Sequence, residues 1–163
     1  MSRRLTLQAK NSEILLLSGL DDFLTELLLK LPEAGAPHPD SDSRLFPSLS
    51  GGTEPEMDDE WREFVRPELE AQFEGNRDRV EEDLTALRAS GGNEMELEIP
   101  QLHVGAWIHA LNQARLSLVA RHRIKDEVLE EGPLLPGLEG MILFQIQFYG
   151  VLQEWLIEAG QSI

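Results

Sequence analysis

From Leu138 to Ala159 the chain carries apolar side chains on nearly every side of a helix: Met141, Ile142, Leu143, Phe144, Ile146, Phe148, Tyr149, Val151, Leu152, Trp155, Leu156 and Ile157. A helix on the surface of a soluble protein needs only one apolar stripe, so one that is apolar all round belongs at the centre of a fold or in a subunit interface. Glu139, Gln145, Gln147, Gln153 and Glu154 interrupt it, and a charge at the bilayer centre costs about 2.5–3.5 kcal/mol on insertion scales, so it does not read as a membrane span. The rest of the chain must supply its cover. A length of 163 residues suits one domain with one core. A homodimer built on this helix would look the same in sequence as a monomer built around it.

The cover reads as mostly helical. Asn11-Ser12 offers an N-cap ahead of Ile14, Leu17, Leu20, Leu24, Leu27, Leu28 and Leu31, whose spacing of three and four predicts a first helix that ends at Pro32. Residues 32–56 hold five prolines and no apolar period, which predicts a flexible loop with Arg44-Leu45-Phe46-Pro47 as its one apolar anchor. A second pattern runs from Asp58 through Trp61, Val65, Leu69, Phe73, Val80, Leu84 and Leu87. Pro67 should break it and open a third helix, because proline lacks the backbone donor and restricts Arg66 before it. The opposite face bears Glu68, Glu70, Glu74, Asp78, Glu81, Glu82 and Asp83, as expected of a solvated surface.

Glu94-Met95-Glu96-Leu97-Glu98-Ile99 alternates charged and apolar residues and ends at Pro100, the pattern of a half-buried strand. Its expected mate is Arg4-Leu5-Thr6-Leu7, since one strand alone is not stable. A fourth helix spans about Gln101 to His122, roughly 33 Å at 1.5 Å per residue. Gly132-Pro133 and Pro136-Gly137 mark the loop before the fifth. The expected fold is therefore mainly α: residues 1–163 as a single-domain bundle of four or five helices, with at most a small two-stranded β-ribbon.

Charge and composition exclude several kinds of function. With 30 Asp+Glu against 14 Lys+Arg the net charge is -16, so nucleic acid and anionic lipid are repelled by most faces. The one locally basic stretch, Arg115, Arg121, Arg123 and Lys125, serves most simply to neutralise the chain's own carboxylates. There is no cysteine, which removes disulfides, thiolate metal sites and thiol nucleophiles. Ser2-Arg3-Arg4-Leu5-Thr6-Leu7 is followed by Lys10, Asn11 and Glu13 rather than by an apolar export segment, and the chain reads as cytoplasmic.

No metal or cofactor is expected. His38, His103, His109 and His122 do not form the i, i+4 pair that sets two imidazoles on one helical face. The sequence has no GxSxG, P-loop, GxGxxG or HExxH, and no catalytic residue is assigned. The polar residues that stand out lie within apolar helices: Asn112 and Arg115 in the fourth, Gln153 and Glu154 in the fifth. An arginine drawn into such an interface needs a partner, and Glu154 is the nearest by type if the two helices pack together.

Four segments in order, Arg44-Leu45-Phe46-Pro47, Trp61-Arg62-Glu63-Phe64, Trp107 through Leu116, and Tyr149-Gly150-Val151-Leu152-Gln153-Glu154-Trp155-Leu156, resemble the succession in a bacterial family of domains of unknown function that includes the actinobacterial regulator AosR. The resemblance covers about residues 12–158. It implies a mainly helical domain with a regulatory, protein-binding role, and carries over Asn112, Arg115, Gln153 and Glu154 as family-type polar positions. Thiol-based regulation does not carry over to a chain without cysteine. The function expected is a non-enzymatic regulatory or protein-interaction module with an unidentified protein partner, its contact surfaces the last helix and the acidic face of the third. The alternative is a small-ligand-binding protein or enzyme with a pocket between the fourth and fifth helices, lined by Asn112, Arg115 and Glu154.

Overall fold

The computed structural model describes residues 4–125 and 137–161. Among them stand four strands and seven helices, in the order β1 (Thr6–Ala9), β2 (Ile14–Leu20), α1 (Asp22–Leu29), α2 (Leu31–Ala34), α3 (Asp42–Leu45), α4 (Pro55–Phe64), α5 (Arg66–Leu84), β3 (Arg88–Gly91), β4 (Glu94–Pro100), α6 (Val104–Arg121) and α7 (Gly137–Gln161). Short 3₁₀ turns lie at Pro39–Ser41 and Gln101–His103. The strands form one antiparallel sheet in the order β1-β2-β4-β3. The fold is thus mixed α and β, which corrects the expectation of a helical bundle with at most a two-stranded ribbon. The expected start at Ser2-Arg3 and the loop at Gly132-Pro133 and Pro136 lie outside the described residues.

The correction turns on Ile14–Leu20, expected as the first two turns of a helix. As the strand between β1 and β4 it buries Leu15, Leu17 and Leu20 on one face and half-buries Ile14, Leu16 and Ser18 on the other. A strand covered on both faces shows an unbroken apolar run, and such a run has no period by which to tell strand from helix. Asn11 does bond as an N-cap would, its Oδ1 accepting from the backbone N–H of Glu13 at 2.8 Å and of Ile14 at 2.9 Å. Here those bonds close the β1–β2 hairpin. The helix begins only at Asp22, capped by Asp21 Oδ1, which accepts from Leu24 N–H at 2.8 Å.

Gly19 sets the end of the strand. Its φ is +81°, the pairing register shifts between Leu17 and Leu20, and a Cβ at this position would lie 2.5 Å from the carbonyl oxygen of Arg4. Only glycine takes that backbone and that approach without strain. The expected pairing of Arg4–Leu7 with Glu94–Ile99 is also corrected, because β2 lies between those strands. Leu7, Leu17 and Leu97 nevertheless line up on one inner face, as do Ala9, Leu15 and Ile99.

Pro67 sits in the first turn of α5, and the chain breaks at Val65 between α4 and α5, as the proline requires. The Pro-rich stretch after Leu31 carries α2, a 3₁₀ turn and α3. Its Phe46 packs on Phe73 of α5 with ring centroids 5.3 Å apart. Arg66 covers the Phe46 ring at 4.5 Å while bridging Asp42 and Glu70.

The centre of the molecule is α6 rather than the last helix. It buries Val104, Trp107, Ala110, Leu111, Ala114, Leu118 and Val119 and packs against α7, α5, α2 and α3. Helix α7 lies on its outside, burying Leu143, Ile146, Phe148, Tyr149, Leu152 and Leu156 and leaving Met141, Phe144, Val151 and Ile157 exposed.

Candidate functional site

Arg115 leaves α6 toward α7 half-buried, and its Nη1 donates a 2.9 Å hydrogen bond to Gln153 Oε1. The guanidinium lies against the backbone of Gly150: a Cβ there would stand 3.3 Å from Cζ and Nε. The absence of a side chain at Gly150 therefore lets the planar cation reach the helix. An open groove along α7 is lined by Arg115, Gln147, Gly150, Val151, Gln153, Glu154 and Ile157.

Three of the four residues singled out in the sequence therefore meet at one place. Asn112 does not join them; it is exposed and outside the groove lining. The expected partner of Arg115 was Glu154, and the structure puts Gln153 in that position. Consecutive helical residues point about 100° apart: Gln153 is half-buried toward α6, whereas Glu154 is exposed on the groove rim. The Nε of Arg115 is shielded from solvent and has no hydrogen-bond acceptor among the described residues.

A second polar cluster was not foreseen. Asp83, near the end of α5, is buried, and both its carboxylate oxygens lie 2.9 Å from His103 Nδ1. Its Oδ2 also accepts from the indole N–H of Trp107 at 2.8 Å. A carboxylate can only accept here, so Nδ1 carries the proton, and Nε2 faces Arg79 Nη1 at 3.4 Å. An Asp–His pair orients the imidazole of many general bases, but here the nitrogen such a base would use is turned to a guanidinium. The arrangement ties α5 to the start of α6. The expectation of Asp83 on a solvated face is corrected, since the side chain is buried. The available signal was that Asp83 follows Val80 by three residues and so shares its inward side, where Val80 and Leu84 are also buried.

Two further buried polar contacts hold the scaffold. Tyr149 donates to the carbonyl of Leu27 at 2.6 Å and accepts from Gln145 Nε2 at 2.9 Å, and burial pushes the phenol well above its usual range. Asp58 accepts from the backbone N–H of Ser50 at 2.9 Å and from its hydroxyl at 2.8 Å, bonds that hold the carboxyl below its ordinary value. Among the described residues no three His, Asp or Glu side chains gather as a metal site would require. His38 Nδ1 instead accepts from the Asp40 N–H at 3.1 Å, and His122 is exposed at the end of α6. No described helix is long and apolar enough to cross a membrane.

A search of curated proteins and of solved structures found no match to this chain. The model of one family, a domain of unknown function (DUF2017), matches residues 2–160. A match over nearly the whole length shows that the chain belongs to the DUF2017 family.

Proposed function

We propose that the chain is a non-enzymatic interaction module with a regulatory role, and that it meets a partner protein through the exposed side of α7 and the groove at Arg115. The composition of that groove is the observation that supports the reading. Val151 and Ile157 remain 39% and 40% exposed beside an arginine fixed on a glycine backbone. Apolar side chains around a positioned arginine are what protein interfaces favour at their centres. Phe144 extends the surface, and Phe23 of α1 packs on it with ring centroids 5.4 Å apart. The acidic outer side of α5 is a second candidate surface, and a second copy of the chain is one candidate partner. A cytoplasmic setting without metal or cofactor belongs to the same proposal and draws on the cysteine-free sequence. So does kinship with the AosR branch of the family, which rests on the order of the four segments.

The test is affinity capture from the native host with wild type and with Val151→Glu, accompanied by sedimentation at several concentrations. The expected result is a protein retained by wild type and lost by the variant, or a concentration-dependent dimer that the variant dissolves. Capture and sedimentation unchanged by the variant would remove α7 as the contact. A second reading, a small anionic ligand in the same groove, draws on the enclosed Arg115 Nε without an acceptor. A panel of anionic metabolites in thermal melting decides it, since a ligand selective for the native state raises the midpoint by mass action.

A further inference from the structure

We propose that the cleft between strand β1 and the C-terminal turns of α7 binds an extended, neutral-to-basic peptide segment of a partner protein, added to the sheet beside β1. The proposal rests on the reading of the chain as a protein-binding module but puts the contact on a surface separate from the Arg115 groove.

Strand β1 is an edge of the sheet. Its peptide groups turned away from β2 have no backbone partner among the described residues. A row of alternating N–H and C=O groups is matched by another extended chain and by little else. The cleft next to this edge has an apolar wall of Leu5, Leu7 and Leu15 from the sheet side and Trp155 and Ala159 from α7, and Arg4 and Glu158 also line it. An added strand would turn every second side chain toward that apolar wall. Gln101 stands on the same wall, and its Oε1 is shielded from solvent with no donor among the described residues. An acceptor so placed is unfavourable until a donor reaches it, and a segment in the cleft supplies one once the half-buried side chain turns toward it.

The opposite edge lacks these features. β3 is exposed along its whole length, and its Arg88 is engaged by Glu96 and Glu98. Charge selects the class of occupant. Arg4 and Glu158 offset each other in the cleft lining, so the chain's net charge of -16 sets the preference and favours a segment carrying Lys or Arg over an acidic one.

A library of random peptides displayed on phage, selected against the full chain, tests the proposal. Selected peptides are synthesised and titrated against wild type, Ala159→Arg, which fills the cleft, Trp155→Ala, which widens it, and Val151→Glu, which alters the Arg115 groove. Amide exchange is followed at Thr6–Ala9. The expected peptides alternate apolar residues and carry a basic one. Binding weakens at least about tenfold with the two cleft variants and less than about twofold with Val151→Glu, a contrast typical of central against remote interface positions. The β1 amides exchange more slowly when the peptide is bound.

Peptides lost with Val151→Glu but kept by both cleft variants would overturn the cleft and leave the protein-binding reading standing. A library yielding no binder would also overturn it, with partner capture deciding the broader reading separately. So would β1 amides already protected in the free chain, whether at all concentrations, by the chain's own ends, or only at high concentration, by a second copy.

Discussion

The phenol of Tyr149 donates a 2.6 Å hydrogen bond to the carbonyl oxygen of Leu27, joining α7 to α1 through the interior. This is the chain's one tyrosine, so the phenolate absorbance band reports on it alone. Burial raises its pKa, and the protonated phenol is the form that the fold holds. The stabilisation is complete below the unfolded value of about 10 and fades as pH rises above it. The phenolate band should therefore appear only as the chain unfolds, at a pH above that of free tyrosine. Tyr149→Phe, which leaves the Leu27 carbonyl without its donor, should cost about 1–2 kcal/mol in urea denaturation.

Asp83 serves two donors at once, the imidazole of His103 and the indole of Trp107. Asp83→Ala leaves the buried indole and the half-buried imidazole without their acceptor, and the loss should be about 2–4 kcal/mol, each stranded donor contributing about 1–3. Asp83→Asn keeps one acceptor and should cost less than half as much. Urea midpoints measure the ranking, and a shift in tryptophan emission with Asp83→Ala, read in a chain whose Trp61 and Trp155 are replaced by Phe, would locate the change at Trp107.

Asp58 is held in its charged form by the backbone and hydroxyl donors of Ser50. Its folded pKa lies below the ordinary 3.8, so the stability it contributes is present above that value and is lost as pH falls through the folded one. Ser50→Ala removes one donor and should raise the Asp58 pKa toward the ordinary value in a carboxyl-carbon NMR titration. The acid limb of the stability profile should move to higher pH with it.

Gly19→Ala combines an unfavourable backbone with a collision against the Arg4 carbonyl. The nearest atoms, the Arg4 carbonyl and the Leu5 Cα, are all backbone, so the chain entering β1 must move. The expected cost is about 2–4 kcal/mol, from strain together with lost pairing at the start of β1. Faster amide exchange at Thr6 and Leu7 than at Leu97 would place the damage at that seam.

Much of the helical portion was legible because its determinants are local. Pro67 marked the α4–α5 break, and the runs starting near Gln101 and Leu138 were found within a few residues of α6 and α7. The central strand was not, because Ile14–Leu20 is covered by neighbours that a single sequence does not display. Asn11 gave the right bonds in the wrong element. In the groove, Arg115 and Gln153 were recognisable as polar residues on apolar helices. Which of Gln153 and Glu154 faces inward depends on the rotation of α7 about its axis, and that is set by how Tyr149, Leu152 and Leu156 pack. Asp83 was hidden among many carboxylates of the same helix, and only its spacing from Val80 set it apart.

Strand β2 has neighbours of two unequal kinds. The hairpin to β1 joins residues close in the chain, whereas Leu17 meets Leu97 only after the whole passage through α1–α5 and β3. A hairpin closes within microseconds, and pairing across a long excursion is far slower. During synthesis on the ribosome the first two strands therefore wait for several seconds with a greasy flank uncovered until β4 emerges. That interval is when a chaperone, or aggregation, has its opportunity.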